Sequence, residues 1–435
     1  MKKFRINKTG RRFWRTISVI LLLWIAFSIY YYSTWTRFPE STAPPITIGV
    51  TTPEYQELIT KATTIFKDAS SRIDVPSVSL AVGHKGKLIW SIAEGYQNMD
   101  SLLPATPKTQ YRIGSTSKSV TATAIALAIQ DGVLNLDSKI TQIDNWPKKP
   151  WNFSIRQLLS HTAGIGNYTD FGLASGKYTL CNCYQFNTAT EGLKVFNRYD
   201  MLYEPGTDFA YSTFDVNLAS AILEQKTKVV FPEYVNQKLF NRLAMIDSYA
   251  DHTKPKSDHF ATFYQTEDGW YREYRNFEQV YDVNLSYKWA GGGFISTPTD
   301  LVKLGNAWVS DTTFINKPLK QQFWTPVRLK NGTVNEQEYA VGFRSNLVYK
   351  DELLSTTDES FWIVHHGGVS KGSQNFLLIF PNYELVINAS INANVEPFSK
   401  LSNEVKKIAA VFLEGLEKKE LEMYREIANA IGVEY

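Results

Sequence analysis

Tyr111-Arg112-Ile113-Gly114-Ser115-Thr116-Ser117-Lys118-Ser119, continuing as an apolar run to Gln130, is the stretch around which the rest of the chain is arranged. From Lys118 the residues Val120, Ala124, Leu127 and Ala128 recur at helical spacing. No Gly or Pro interrupts them, and Gly132 follows as a C′ stop. Ser115 and Lys118 stand three apart, so on a helix they share a face and the hydroxyl can meet the amine. A serine becomes a nucleophile when a base takes its proton, and a lysine becomes that base when burial or a neighbouring cation lowers its pKa. The helix N-terminus adds N–H groups and partial positive charge where an oxyanion would form. Alone, S-x-x-K recurs by chance, and an N-capping serine beside a solvated lysine explains it.

The 435 residues suffice for one large or two medium domains with a full core. Seven basic side chains and no acid occupy the first fifteen positions, and residues 16–36 then carry no charge. That run matches the roughly twenty residues a membrane-spanning helix needs. Trp14 at one end and Tyr30, Tyr31, Tyr32 and Trp35 at the other suit the two interfaces. The basic flank predicts a cytoplasmic N-terminus, with the remainder outside the membrane (periplasmic in a bacterium). A cleavable signal peptide competes, but no small-x-small site follows and bulky tyrosines fill its place. The formal charge of +3 rests on that tail; the rest is net acidic, which excludes a nucleic-acid partner. A disulfide between Cys181 and Cys183 would be strained by their spacing, and no His cluster accompanies them, so they read as incidental thiols.

Pro39, Pro44 and Pro45 mark residues 37–52 as an extended spacer. The periodicity predicts a helix over 53–71, then strands over 77–82 and 87–95 joined by the hairpin signal Gly83-His84-Lys85-Gly86. Helices follow over 155–162, 215–225 and 298–309. Strands are expected over 362–365, 373–380 and 383–391, with a helix over 396–431. A sheet supplied by both ends of the chain implies an α+β fold: an antiparallel sheet flanked by helices, with a mostly helical second lobe and the Ser115 helix between them. The expected units are a basic tail (1–15), an anchor (16–36), the spacer (37–52), a catalytic domain (53–416) and a C-terminal helical extension (417–435).

Four further blocks accompany Tyr111–Lys118. They are Leu158-Leu159-Ser160-His161-Thr162-Ala163-Gly164-Ile165, Glu204-Pro205-Gly206-Thr207-Asp208-Phe209-Ala210-Tyr211-Ser212, Gly291-Gly292-Gly293-Phe294-Ile295-Ser296-Thr297, and His365-His366-Gly367-Gly368. In that order they resemble the serine β-lactamase/penicillin-binding-protein family, specifically its class C β-lactamase-related branch. That branch holds D-Ala-D-Ala carboxypeptidases, esterases and the animal mitochondrial β-lactamase-like protein.

The resemblance implies a β-lactamase/transpeptidase-like fold and an acyl-enzyme mechanism. Ser115 would be the nucleophile, Lys118 its base partner and Tyr211 the proton shuttle of Y-x-N. Backbone N–H groups of Ser115 and Gly368 would form the oxyanion hole, and His161 would be a structural hydrogen-bonder. Two departures stand out: Thr213 holds the Asn position of Y-x-N, and His365 replaces the lysine of K-T-G. A neutral imidazole attracts a substrate carboxylate less than an ammonium does. The expected activity is therefore that of a membrane-anchored serine hydrolase on an ester or peptide amide, cell-wall peptide included, with efficient β-lactam hydrolysis disfavoured. Two alternatives stand beside it: a non-catalytic relative that binds peptidoglycan or builds an assembly, and a true class C β-lactamase. No cofactor or metal is expected, and the sequence leaves the oligomeric state open.

Overall fold

The computed structural model describes residues 8–37, 43–140, 143, 152–170, 184–251, 257–273, 283–349 and 360–419, with a few positions beyond 421. Cys181 and Cys183 lie outside the described residues. Seven strands form the main path of an eight-stranded sheet, the eighth being the short Leu103–Pro104 beside β3: β1 (Ile46–Thr51), β2 (Ser77–His84), β3 (Lys87–Asn98), β4 (Arg344–Tyr349), β5 (Ser360–Ser370), β6 (Ser373–Phe380) and β7 (Leu385–Ile391). All neighbours pair antiparallel, in the order β4-β5-β6-β7-β2-β3-β1. The expected hairpin turn joins β2 to β3; Lys85 and Gly86 both take positive φ, +50° and +79°, as a two-residue turn between twisted strands requires. The two ends of the chain meet where Val78 of β2 faces Ile391 of β7.

Helices cover both faces, so β2, β6 and β7 are buried along their whole length. On one side, α2 (Gln56–Phe66) and α6 (Ser399–Gly415) close a core containing Phe66, Trp90 and Phe412. On the other lie α3 (Ser117–Gln130), α4 (Thr213–Thr227) and α5 (Pro298–Ser310), around the larger core. Every residue of α3 from Ser117 to Ala128 is buried. A helix apolar on all sides belongs in the middle of a molecule, and α3 passes between sheet and helical lobe as the sequence predicts.

Three expectations need correction. The segment over 37–52 is not a spacer throughout: Ile46-Thr47-Ile48 pair with Glu94-Ala93-Ile92 as the sheet's edge strand. The β-branched alternation outweighs the prolines before it. The helix expected over 53–71 is broken at Asp68, whose φ is +63°, because the carboxylate of buried Glu94 accepts from the N–H groups of Asp68 and Ser70 and starts a new short helix. The helix expected over 396–431 spans Ser399–Gly415; Leu416 is already extended, and the N–H of Lys419 is held by the carbonyl of Asn382.

Residues Lys8–Ser33 form an N-terminal helix, α1. Within it, Arg12–Ser33 is long and apolar enough to cross a membrane, with mean hydropathy 1.7 and no burial in the molecule. A signal sequence has the same properties. Just beyond it, Thr36 and Arg37 pair with Tyr271 and Trp270, and the Arg37 guanidinium lies 4.3 Å from the Trp270 ring centre.

Candidate active site

Ser115 is placed by contacts on both sides of it. Tyr111 is fully buried and its hydroxyl bonds those of Ser77 and Ser79 on β2. Arg112 makes a buried ion pair with Asp251, 2.9 Å from Nε to Oδ2. Ser115 itself lies in a 3-10 turn, Gly114–Thr116, which feeds directly into α3. This turn presses against β5. A Cβ on Gly114 would stand 2.5 Å from the carbonyl oxygen of Val369, and one on Gly368 would stand 1.9 Å from that of Ile113. Neither gap admits a methyl group, and Gly114 also takes a φ of +51°.

The hydroxyls that look redundant in Ser-Thr-Ser-Lys-Ser-Val-Thr each fasten a different element. Thr116 donates to the carbonyl of His366, Ser119 to that of Gly342 and Thr121 to that of Ala290, while Ser117 accepts from the N–H of Phe294. Each such bond contributes about 0.5–1.5 kcal/mol net.

Lys118 has no exposed surface. Its Nζ lies 3.1 Å from Ser115 Oγ, 2.6 Å from the Gly291 carbonyl and 3.4 Å from Thr213 Oγ1. No carboxylate pairs with it among the described residues. Burial first, and then the charge of Arg344, hold its pKa well below the ordinary lysine value. A neutral amine has two N–H donors and one lone pair. Donation to Gly291 and Thr213 leaves the lone pair for the Ser115 proton.

Tyr211 lies partly exposed on the other side of the serine. Burial pushes its phenol up to about 12, and a hydrogen bond with Ser115 and the nearby Arg344 oppose that rise. The Lys118 ammonium position is 4.8 Å from the centre of the Tyr211 ring. The phenol is therefore held protonated at neutral pH, because desolvation outweighs the nearby cation.

The Leu158–Ile165 block is what holds Tyr211 in place. His161 adopts φ +60° and its carbonyl accepts from the Ala210 N–H and the Tyr203 hydroxyl. Its Nδ1 accepts from the Ser212 N–H, so both neighbours of Tyr211 are clamped to one histidine. The imidazole packs against the Tyr211 ring, centres 4.4 Å apart and planes tilted by 51°. His161 is thus a structural hydrogen-bonder, as expected, and its backbone does much of the work.

Asp215 Oδ2 also lies 3.1 Å from His161 Nδ1. Nδ1 has one lone pair, so a protonated Asp215 carboxyl shares it with the Ser212 N–H in a bifurcated contact. Burial raises Asp215 well above the carboxylate range and lowers His161 well below the imidazole range, in keeping with a neutral pair. Asp215→Asn is accordingly expected to cost no more than about 1–2 kcal/mol in urea melts, the penalty of one idle N–H. A loss of about 3–5 kcal/mol, as for a broken buried ion pair, would show the pair to be charged.

On β5 the two histidines face opposite ways, as alternation requires. His366 is fully buried against the Tyr339 hydroxyl at 2.8 Å. His365 lines a cavity of about 610 Å³ that also contains Ser115, Tyr211 and Arg344. Burial, Arg344 and Lys406 lower its pKa to about 3, so it supplies no charge there. Its Nε2 instead bonds Asn346 Oδ1 at 2.8 Å. Thr213 meets Lys118, and Gly368 lies against the nucleophile turn. Every residue singled out from the sequence therefore falls within this one region. Two were missed: the Gly291 carbonyl that orients the lysine, and Arg344, which faces His365 across the β4–β5 ladder.

The chain belongs to the β-lactamase/transpeptidase-like serine hydrolase family: a family model described as Beta-lactamase matches residues 62–411. Human "Serine beta-lactamase-like protein LACTB, mitochondrial" is 25% identical, over 82% of this chain and 77% of its own. Among solved structures, the octameric penicillin-binding protein homologue from Pyrococcus abyssi superimposes with a TM-score of 0.65 at 22% identity, covering 85% of this chain and 80% of that one. D-amino acid amidase from Ochrobactrum anthropi SV3, complexed with L-phenylalanine amide, gives 0.65 at 21%, covering 82% and 99%. At those identities the two structures bear on the fold.

Proposed function

We propose that this chain is a membrane-anchored serine hydrolase that cleaves an ester or peptide amide through an acyl-enzyme on Ser115. One observation carries the reading: Ser115 Oγ lies 3.1 Å from a wholly buried lysine amine and beside the Tyr211 phenol, on the wall of a cavity that can hold a substrate. Ser115 Oγ attacks the carbonyl carbon while its proton passes to Lys118, and the oxyanion is met by the N–H groups of Ser115 and Gly368. As the carbon–heteroatom bond breaks, Tyr211 delivers a proton to the leaving group and recovers one from Lys118. Water then attacks the acyl-enzyme by the same route in reverse. Thr213 helps orient the lysine, and α1, with its basic flank inside, anchors the domain on the outer face of the membrane.

The test is covalent labelling. A fluorophosphonate should modify the folded wild-type chain, and peptide mass spectrometry should place the adduct on Ser115. Ser115→Ala should take up none, and a folded wild-type protein that resists the probe would overturn the proposal.

A further inference from the structure

The cavity beside Ser115 combines apolar walls with two cations that, among the described residues, have no acidic partner. Ile363, Val369, Phe376 and Phe398 supply the walls, and Arg344 and Lys406 the charge. Among the described residues no carboxylate pairs with either cation. The one acid on the cavity wall, Glu338, is engaged with the Asn346 amide at 2.5 Å. Arg344 is half-buried between two rings, 5.5 Å from the centre of Tyr211 and 5.2 Å from that of Tyr339, and its guanidinium donates to the Gln337 side-chain oxygen at 2.5 Å. Withdrawing a guanidinium this far from water without an anion is costly unless an anion arrives with the ligand. The two rings flank the guanidinium and limit where it can move. The two cations come from β4 and α6, outside the five sequence blocks, and Arg344 stands one aromatic ring away from the nucleophile.

We infer that Arg344, assisted by Lys406, binds a carboxylate on the substrate, and that the preferred substrate is an ester or amide whose apolar acyl chain ends in that carboxylate. The inference rests on Ser115 being the nucleophile of this cavity. His365, kept neutral, cannot make this contact, and the charge is supplied instead by the residue opposite it on the next strand. An apolar run between ester and carboxylate matches the phenylalanine, valine and isoleucine walls.

Two esters of equal length separate the terms: mono(4-nitrophenyl) adipate and 4-nitrophenyl hexanoate. For the full-length chain in detergent, kcat/KM should favour the adipate by about tenfold or more, as a charge-assisted contact provides. Arg344→Met should erase that ratio mainly through KM for the adipate, and Arg344→Lys should restore part of it. A ratio that Arg344→Met leaves unmoved overturns the inference. Recognition is then measured without turnover, in Ser115→Ala protein by calorimetry, using adipic acid mono-N-methylamide and N-methylhexanamide. Tighter binding of the charged amide, weakened by salt and by Arg344→Met, supports the subsite. Equal binding overturns it even where Ser115 labels normally. A binding preference in a chain whose Ser115 never acylates overturns the hydrolase reading alone.

Discussion

Lys118→Met is expected to slow acylation of Ser115 by about 10²–10⁴-fold, the range for loss of a positioned general base, without unfolding the protein. The two halves of that expectation share one cause. The amine is wholly buried and its pKa is held well below the lysine value, so folding favours its uncharged form. A thioether of similar volume fills the space and gives up three hydrogen bonds, to Ser115, Gly291 and Thr213. Thermal melts should therefore move little while fluorophosphonate labelling collapses. A variant that melts far below wild type would mean that the amine holds the fold together.

The pH dependence follows with a definite sign. Acylation needs the free amine, so kcat/KM should rise with pH through an apparent pKa well below the ordinary 10.5 and should lack that acid limb in Lys118→Met. The observed midpoint belongs to the Lys118–Tyr211 pair rather than to either group. Stability should also climb as pH rises towards 10.5, since over that window the unfolded chain holds a proton the folded one has released.

Gly368→Val should be the most damaging single change on β5. A Cβ there would stand 1.9 Å from the Ile113 carbonyl oxygen and 2.8 Å from the Thr116 nitrogen, both backbone atoms of the nucleophile turn that cannot swing aside. Strand and turn must part. Misplacing one oxyanion donor alone costs about 10²–10³ in rate, and the opened seam should add a stability loss of about 1–3 kcal/mol from overpacking. Labelling rates and urea melts of the same preparation read the two effects separately. Wild-type labelling by a well-folded Gly368→Val protein would remove Gly368 from the oxyanion hole.

The parts of this site that were legible in the sequence are those set by local spacing. Ser115 and Lys118 meet because they are three apart, and Lys85-Gly86 turns because both can take positive φ. Tyr211 is legible only through the family resemblance of the block that opens Glu204-Pro205-Gly206. What escaped notice depends on register or on backbone groups. Arg344 joins the site only because β4 pairs with β5 so that it faces His365, and residues 21 apart carry no mark of that alignment. The Gly291 carbonyl orients Lys118 through an atom every residue possesses. The edge strand β1 was read as spacer because its prolines were weighed ahead of Ile46-Thr47-Ile48-Gly49-Val50-Thr51. Glu94 breaks the second helix from a strand more than twenty residues away.

Thr36 and Arg37 are already hydrogen-bonded to the globular body only three residues after α1 ends at Ser33. With α1 in a bilayer, this leaves almost no slack, and the hydrolase would ride on the lipid surface like a cap on a short post. Its encounters would then be governed by lateral diffusion and by what collects at the headgroups, so inserting a flexible segment after Ser33 should change which substrates it reaches without touching a single atom of the cleft.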